Sequence, residues 1–290
     1  MALLSGVFPS IVMVEILACL PARSPVQFRC VSKSWRSLLS EPYFMMMWLN
    51  RSATSLLGYN SRCCNKYLVH GFGYEPNAWD CKVVRITYSR GFARPADSPI
   101  RPWLVEVYSV GKDTWTSLGR PNFTWMIHGN SRAFVNGSTH WLAAPTKDAP
   151  YDSIVAFHME KESFGEVIQL PQLENLSQFS LNPRGKATLS VSFGSLALIA
   201  FSLWNREESG IWVMEEHGVA NTWTKQHHIV LPIGSTVQAA LGLPKHGKIL
   251  LRTVDEKLVC CDVEDAQISE IGIQGGHPES SFDVIEFQAV

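Results

Sequence analysis

The sequence predicts an α+β chain. A small three-helix unit is expected over residues 1–50 and an all-β, propeller-like antiparallel domain over 71–290, with 51–70 as a linker or irregular first strand. Three observations predict this. Apolar residues in roughly the first 40 positions recur at helical spacing. Beyond Trp48 the texture changes to alternating apolar runs separated by Gly, Pro, Asn and Asp. One strand–turn–bulky-residue unit then returns at starts 49, 57 and 47 residues apart.

In the N-terminal unit, Val12, Ile16, Leu17 and Leu20 form one face of a short helix, and Pro9 is tolerated at its start because the N–H it lacks would have no helical partner there. Pro21 and Pro25 interrupt that helix, since proline cannot extend the hydrogen-bond ladder. A second helical pattern runs from Val26 through Phe28, Cys30, Val31, Trp35 and Leu38 to Leu39, with Arg29, Lys33 and Arg36 interleaved, and Glu41-Pro42 ends it. Three such short pieces bury little surface among themselves. Either they cap the domain that follows, or they complete their core on a second polypeptide. The net charge of +2 over residues 1–50 suits an acidic protein partner and is too small for a phosphate-binding arm.

Composition narrows the function classes. With 46% hydrophobic and 18% charged residues the chain reads as globular, and no apolar run approaches the ~20 residues of a membrane span, so no membrane partner is expected. The first residues lack a basic n-region and are interrupted by Glu15 and Arg23, so no secretory signal is expected and the location reads as cytoplasmic and/or nuclear. In a reducing compartment the seven cysteines stay free, and their odd number without C-x-x-C spacing argues against a disulfide framework or a zinc site. Cys63-Cys64 and Cys260-Cys261 read as small buried hydrophobes. The sequons at Asn122 and Asn136 are then chance matches. A net charge of −1 gives no general attraction for nucleic acid.

In the β domain, segments 105–108, 154–157, 211–214 and 258–261 look equivalent, and each is followed by a polar turn and a bulky residue: Trp115, Phe164, Trp223 and Ile268. Each aromatic is expected to pack against the neighbouring unit, and periods near 50 are those of kelch-like blades. Asn136-Gly137, within 133–142, is a strong hairpin signal, and 186–201 and 247–254 occupy the same slot in later units.

Catalytic patterns are not found. His227 and His228 are adjacent, so on a strand they point to opposite faces, one expected buried and one exposed. His128, His140 and His158 lie on separate segments, and no shared metal is expected. Gly71-Phe72-Gly73 lacks a third glycine and a following helix, and no G-x-S-x-G elbow occurs. The chain therefore reads as a non-enzyme without a cofactor. Trp79, Trp115, Trp141, Trp204, Trp212 and Trp223 fall where core packing is expected. Trp103, beside Pro102, and Trp125, in a Pro-Asn-Phe-Thr-Trp stretch, read as exposed aromatics that could anchor a protein substrate.

Phe8-Pro9, Val14-Glu15-Ile16-Leu17, Leu20-Pro21-Ala22-Arg23-Ser24 and the run from Phe28-Arg29-Cys30-Val31 to Trp35-Arg36-Ser37-Leu38 closely resemble the F-box of the large plant subfamilies. That resemblance implies binding to a Skp-type adaptor, and through it a cullin–RING ubiquitin ligase. Pro9, Val12, Ile16, Leu17, Leu20, Pro21, Cys30, Val31, Trp35 and Leu38 would make the contact. Phe8, Ile11, Cys19, Pro25 and Gln27 depart from the usual residues. Further on, Gly71-Phe72-Gly73-Tyr74, the run from Asp80-Cys81-Lys82 to Arg85, Val105 to Ser109 ahead of Trp115, and Asn136-Gly137 with His140-Trp141 resemble the F-box-associated interaction domain. The resemblance implies a substrate receptor for an unidentified protein, or alternatively a regulatory F-box protein that binds the adaptor without delivering substrate. Only 22 residues separate Leu49 from Phe72, tens fewer than the family pattern has, so an early blade is expected to be missing and a sheet edge left to be covered or paired.

Overall fold

The computed structural model describes residues 66–274, apart from 76, 79, 90–101, 147–148, 171–186, 202–207, 232–236, 243–246, 254 and 256. The described strands form four antiparallel sheets. Blade 1 is β1 (Lys66–Glu75), β2 (Asp80–Ser89), β3 (Pro102–Ser109) and β4 (Thr114–Gly119), in that spatial order. Blade 2 is β5 (Met126–Val135), β6 (Ser138–Ala144), β7 (Ser153–His158) and β8 (Ser163–Phe164), with β9 (Ile168–Gln169) also paired to β7. Blade 3 is β10 (Thr188–Ser192), β11 (Ser195–Phe201), β12 (Glu208–Met214) and β13 (Trp223–Val230). Blade 4 is β14 (Val237–Gly242), β15 (Lys248–Thr253), β16 (Lys257–Asp262) and β17 (Ile268–Gln274). The first strands pack in succession, β1 on β5, β5 on β10 and β10 on β14, so the blades follow one another around a propeller-like axis.

The repeat read from the sequence is the third strand of each blade. Segments 105–108, 154–157, 211–214 and 258–261 lie in β3, β7, β12 and β16, and Trp115, Phe164, Trp223 and Ile268 lie in the fourth strands. Such strands are legible because the inner strands of a middle blade are covered on both faces and so lose the usual apolar–polar alternation. In β6, Trp141 and Ala143 join the core shared with Val84, Ile86 and Val107 of blade 1. Leu142 and Ala144, the alternate residues, join the core shared with Leu189, Leu196 and Trp212 of blade 3. In β11, Ala197, Ile199 and Phe201 face Ile249, Leu251 and Val259 of blade 4. Among the described residues the hydrophobic core is thus three seams between four sheets.

The bulky residues of the fourth strands do not all reach the next blade, as the repeat had suggested. Trp115 packs within its own sheet, 5.2 Å from the Tyr108 ring and beneath the Arg85 guanidinium at 4.0 Å. Phe164 meets Phe157 at 5.0 Å and Phe123 of the connection before β5 at 4.6 Å and so packs on the core between blades 1 and 2, as Ile268 packs on the core between blades 3 and 4. Trp223 does join the seam between blades 2 and 3. The reason is position: the fourth strand is the outer edge, so its nearest apolar partner is the third strand beside it. The same position corrects the histidine pair. Both His227 and His228 are exposed, because β13 is mostly open to solvent on either face.

The Gly71-Phe72-Gly73 motif has a packing cause. A Cβ on Gly71 would stand 2.3 Å from Trp141 Cζ2, and one on Gly73 2.5 Å from both Met159 and Phe134. These are ring and core atoms of blade 2, while the Trp141 indole N–H donates to the His70 carbonyl at 3.2 Å. Gly71→Ala is therefore expected to destabilise the fold by about 1–3 kcal/mol through overpacking, measured as a lower urea midpoint at unchanged slope. An unchanged midpoint would show that the seam can yield.

Candidate functional site

The ten residues expected to meet an adaptor, Pro9, Val12, Ile16, Leu17, Leu20, Pro21, Cys30, Val31, Trp35 and Leu38, lie outside the described residues. So do Cys63-Cys64, Trp79 and Trp204. Cys81 and Cys261 are buried, whereas Cys260, expected buried beside Cys261, is half-buried, and burial pushes the Cys261 thiol up to about 11.

An antiparallel four-strand blade has two ends. One carries the turns between its first and second and its third and fourth strands; the other carries the second-to-third loop and the connection to the next blade. Trp103 and Trp125 belong to the second end of blade 1. Trp103 lies in β3, next to the Pro102 that pairs with Tyr88, and is 49% exposed. Trp125, just before β5, is instead half-buried against the seam between blades 1 and 2, and its carbonyl accepts a 3.0 Å hydrogen bond from the Tyr88 hydroxyl. That hydroxyl also accepts from the Ile127 N–H at 3.1 Å, and burial raises its pKa.

Polar side chains of β2 lock strand to strand within blade 1 and, through Lys82, blade 1 to blade 2. Asp80 accepts from the Ser109 hydroxyl at 2.5 Å and the Gly111 N–H at 2.7 Å, fixing the third-to-fourth turn of blade 1. Lys82 is buried and ion-paired to Glu75 of its own blade at 2.5 Å and to Glu162 of blade 2 at 2.7 Å, and it donates to the Met159 carbonyl at 3.0 Å. Burial alone would lower the Lys82 pKa, but Glu162 and Glu75 outweigh it and raise it. Arg85 donates through Nε and Nη2 to Glu106 at 3.0 and 2.8 Å. The family-like run from Asp80 to Arg85 is therefore a set of structural locks.

The seam between blades 2 and 3 uses a different pair at the corresponding place. His140 is the third residue of β6, as Lys82 is of β2. Its ring meets the His217 ring from the third-to-fourth turn of blade 3 edge-on at 5.0 Å. Pairing of β6 with β7 brings His158 close by, where its Nδ1 lies 2.7 Å from the Ser138 hydroxyl. Burial, then His217 and His158, lower the His140 pKa to about 3; burial and His158 lower that of His217. These three side chains gather from separate segments, and the spacing along the chain gave no sign of it. Among the described residues no group of three or more His, Cys, Asp or Glu could hold a metal ion, and no helix is long and apolar enough to cross a membrane.

The sequence reading passed over Phe193. It stands in the two-residue turn between β10 and β11, in the slot that Asn136 fills in blade 2, and is 90% exposed. A large aromatic ahead of glycine in a hairpin slot was the available signal.

Four-stranded antiparallel blades packed seam to seam define a β-propeller-like domain. The model of the F-box associated beta propeller domain matches residues 51–282, and that of the F-box domain matches residues 8–46. The chain belongs to the F-box proteins with an F-box associated β-propeller domain. It is similar to F-box protein At3g07870 of Arabidopsis thaliana, at 26% identity over 250 residues, covering 73% of this chain and 58% of that protein. It is also similar to F-box protein CPR1 of Arabidopsis thaliana, at 24% identity over 226 residues, covering 72% of this chain and 52% of that one. F-box protein At3g49450 of the same plant is 51% identical over 49 residues, or 17% of this chain and 12% of its own length. The chain thus spans little more than half of the relatives it matches at length.

Proposed function

We propose that this chain is the substrate-recognition subunit of a Skp–cullin–F-box ubiquitin ligase. Residues 8–40 dock a Skp-type adaptor, and the propeller, whose first strand begins at Lys66, holds a target protein so that its lysines sit at high effective concentration near a ubiquitin-loaded enzyme. The chain itself forms and breaks no bonds. It works in the cytoplasm, the nucleus or both, where the ligase works. The observation that carries the reading is the occurrence in one chain of an F-box match at 8–46 and a propeller match at 51–282, a hook and a binding surface. Trp103, exposed at one end of blade 1, is a candidate for part of the target contact.

The test is a pull-down of the full chain with a purified Skp-type adaptor. The double variant Leu20→Ser, Trp35→Ala is expected to weaken that binding at least tenfold, since both remove apolar anchors from a small interface. Binding that is unaltered removes residues 8–40 from the adaptor contact. A second reading, a regulatory F-box protein that engages the adaptor without delivering substrate, draws on the short spacing of 22 residues between Leu49 and Phe72. Limited proteolysis separates the two: an unclosed propeller is cut rapidly between Arg51 and Arg101.

A further inference from the structure

In blade 2 the first and second strands are joined by Asn136-Gly137, with φ values of 50° and 69°. Asparagine suits that left-handed slot because its short polar side chain can bond locally. Blade 3 uses Phe193-Gly194 instead, with φ values of 47° and 82°, and leaves the Phe193 ring 90% exposed. The turn gives up backbone stability and hydrophobic burial to hold an aromatic ring in water. A ring on a tight turn also loses little conformational freedom when a partner covers it, which is the property of an interface anchor.

The surroundings say what kind of partner fits. Ala197 pairs with Val213, so continuing the register sets Ser195, just after the turn, level with Glu215. Glu215 and Glu216 are both exposed. The third-to-fourth turns of the flanking blades present exposed Glu160 on one side and Glu264 with Asp265 on the other, against exposed Lys161 in the first of them and Lys248 at the start of β15. An excess of carboxylates over lysines at this end of the blades, with Glu215 level with the turn, disfavours nucleic acid and anionic lipid and attracts a cationic protein surface.

We propose that Phe193 is a docking anchor for a protein partner that offers an apolar pocket rimmed by lysine and arginine. The proposal rests on the receptor reading and adds the contact surface and the chemistry of the target.

The test uses the full chain co-purified with a Skp-type adaptor and panned against a phage-displayed library of random short peptides. Enriched peptides are expected to combine lysine or arginine with apolar residues and to bind Phe193→Asn about tenfold more weakly. The Glu215→Lys, Glu216→Lys variant is expected to lose binding as well, together with part of its salt dependence. Phe193→Asn should itself raise the unfolding temperature by about 2–4 °C, since asparagine suits the turn, so that lost binding is not lost folding. Peptides that are acidic, that bind Phe193→Asn equally, or that fail to enrich would overturn the anchor. A lower unfolding temperature for Phe193→Asn would do so too, because the ring would then be covered by its own chain. Failure of the chain to co-purify with the adaptor counts instead against the receptor reading, so the two failures are told apart.

Discussion

Lys82→Met is expected to destabilise the propeller by about 3–5 kcal/mol, the cost of leaving a buried charge without its partner. Lys82 is 6% exposed and holds Glu75, itself 9% exposed, so removing the ammonium strands a carboxylate where water reaches it poorly. Glu162, further out, can rehydrate and adds less. The loss also frees the Met159 carbonyl that Lys82 Nζ bonds, and Met159 Cε lies where the Gly73 backbone closes on blade 2. The effect should therefore appear as loosening of the whole seam between blades 1 and 2, with raised amide exchange in β1 and β5. The double variant Lys82→Met, Glu75→Leu should recover most of the stability, because an apolar pair of similar volume does not bear the desolvation cost of the ions. A single variant as stable as the parent protein, in urea unfolding, would mean that the Glu75 carboxylate is hydrated in solution.

How much of this was legible beforehand depends on which force places each residue. The third strands could be read because the blades bury them on both faces, and burial writes itself into the sequence as runs such as Ile154 to Phe157 and Ile211 to Met214. Asn136-Gly137 was legible because a two-residue turn demands left-handed backbone. The packing of Trp115 on Tyr108 and Arg85 was not, since spacing says that an aromatic follows a strand but not which neighbour is nearer at the sheet edge. Long-range polar locks were least legible. Lys82 and Glu162 are 80 positions apart, and His140 and His217 are 77 apart, brought together only when successive blades stack. Phe193 was missed for another reason: hydrophobicity predicts burial on average, and this ring is an exception set by its turn.

Acid is expected to weaken the seam between blades 2 and 3 before the seam that Lys82 holds. His140 is fully buried with its folded-state pKa lowered to about 3, while an unfolded histidine titrates near 6.5. A base held neutral by the fold takes up its proton only on unfolding. Its contribution is therefore intact above pH 6.5 and is lost steadily as pH falls from there toward 3, at about 1.4 kcal/mol per pH unit. At pH 5 the loss relative to pH 8 comes to about 2 kcal/mol from His140, and His217, whose pKa is lowered too, acts in the same direction. Lys82, with its pKa raised, stays charged throughout this range. Urea unfolding at pH 8 and pH 5 measures the difference directly. The His140→Leu variant should show a shallower pH slope whatever its absolute stability, because no imidazole remains at that position to be protonated in the unfolded chain. Parallel slopes for variant and parent would mean that the seam already admits a proton to His140 while folded. The same two propeller seams, closed at equivalent strand positions by an ion pair in one case and by two imidazoles in the other, would then answer pH alike rather than separately.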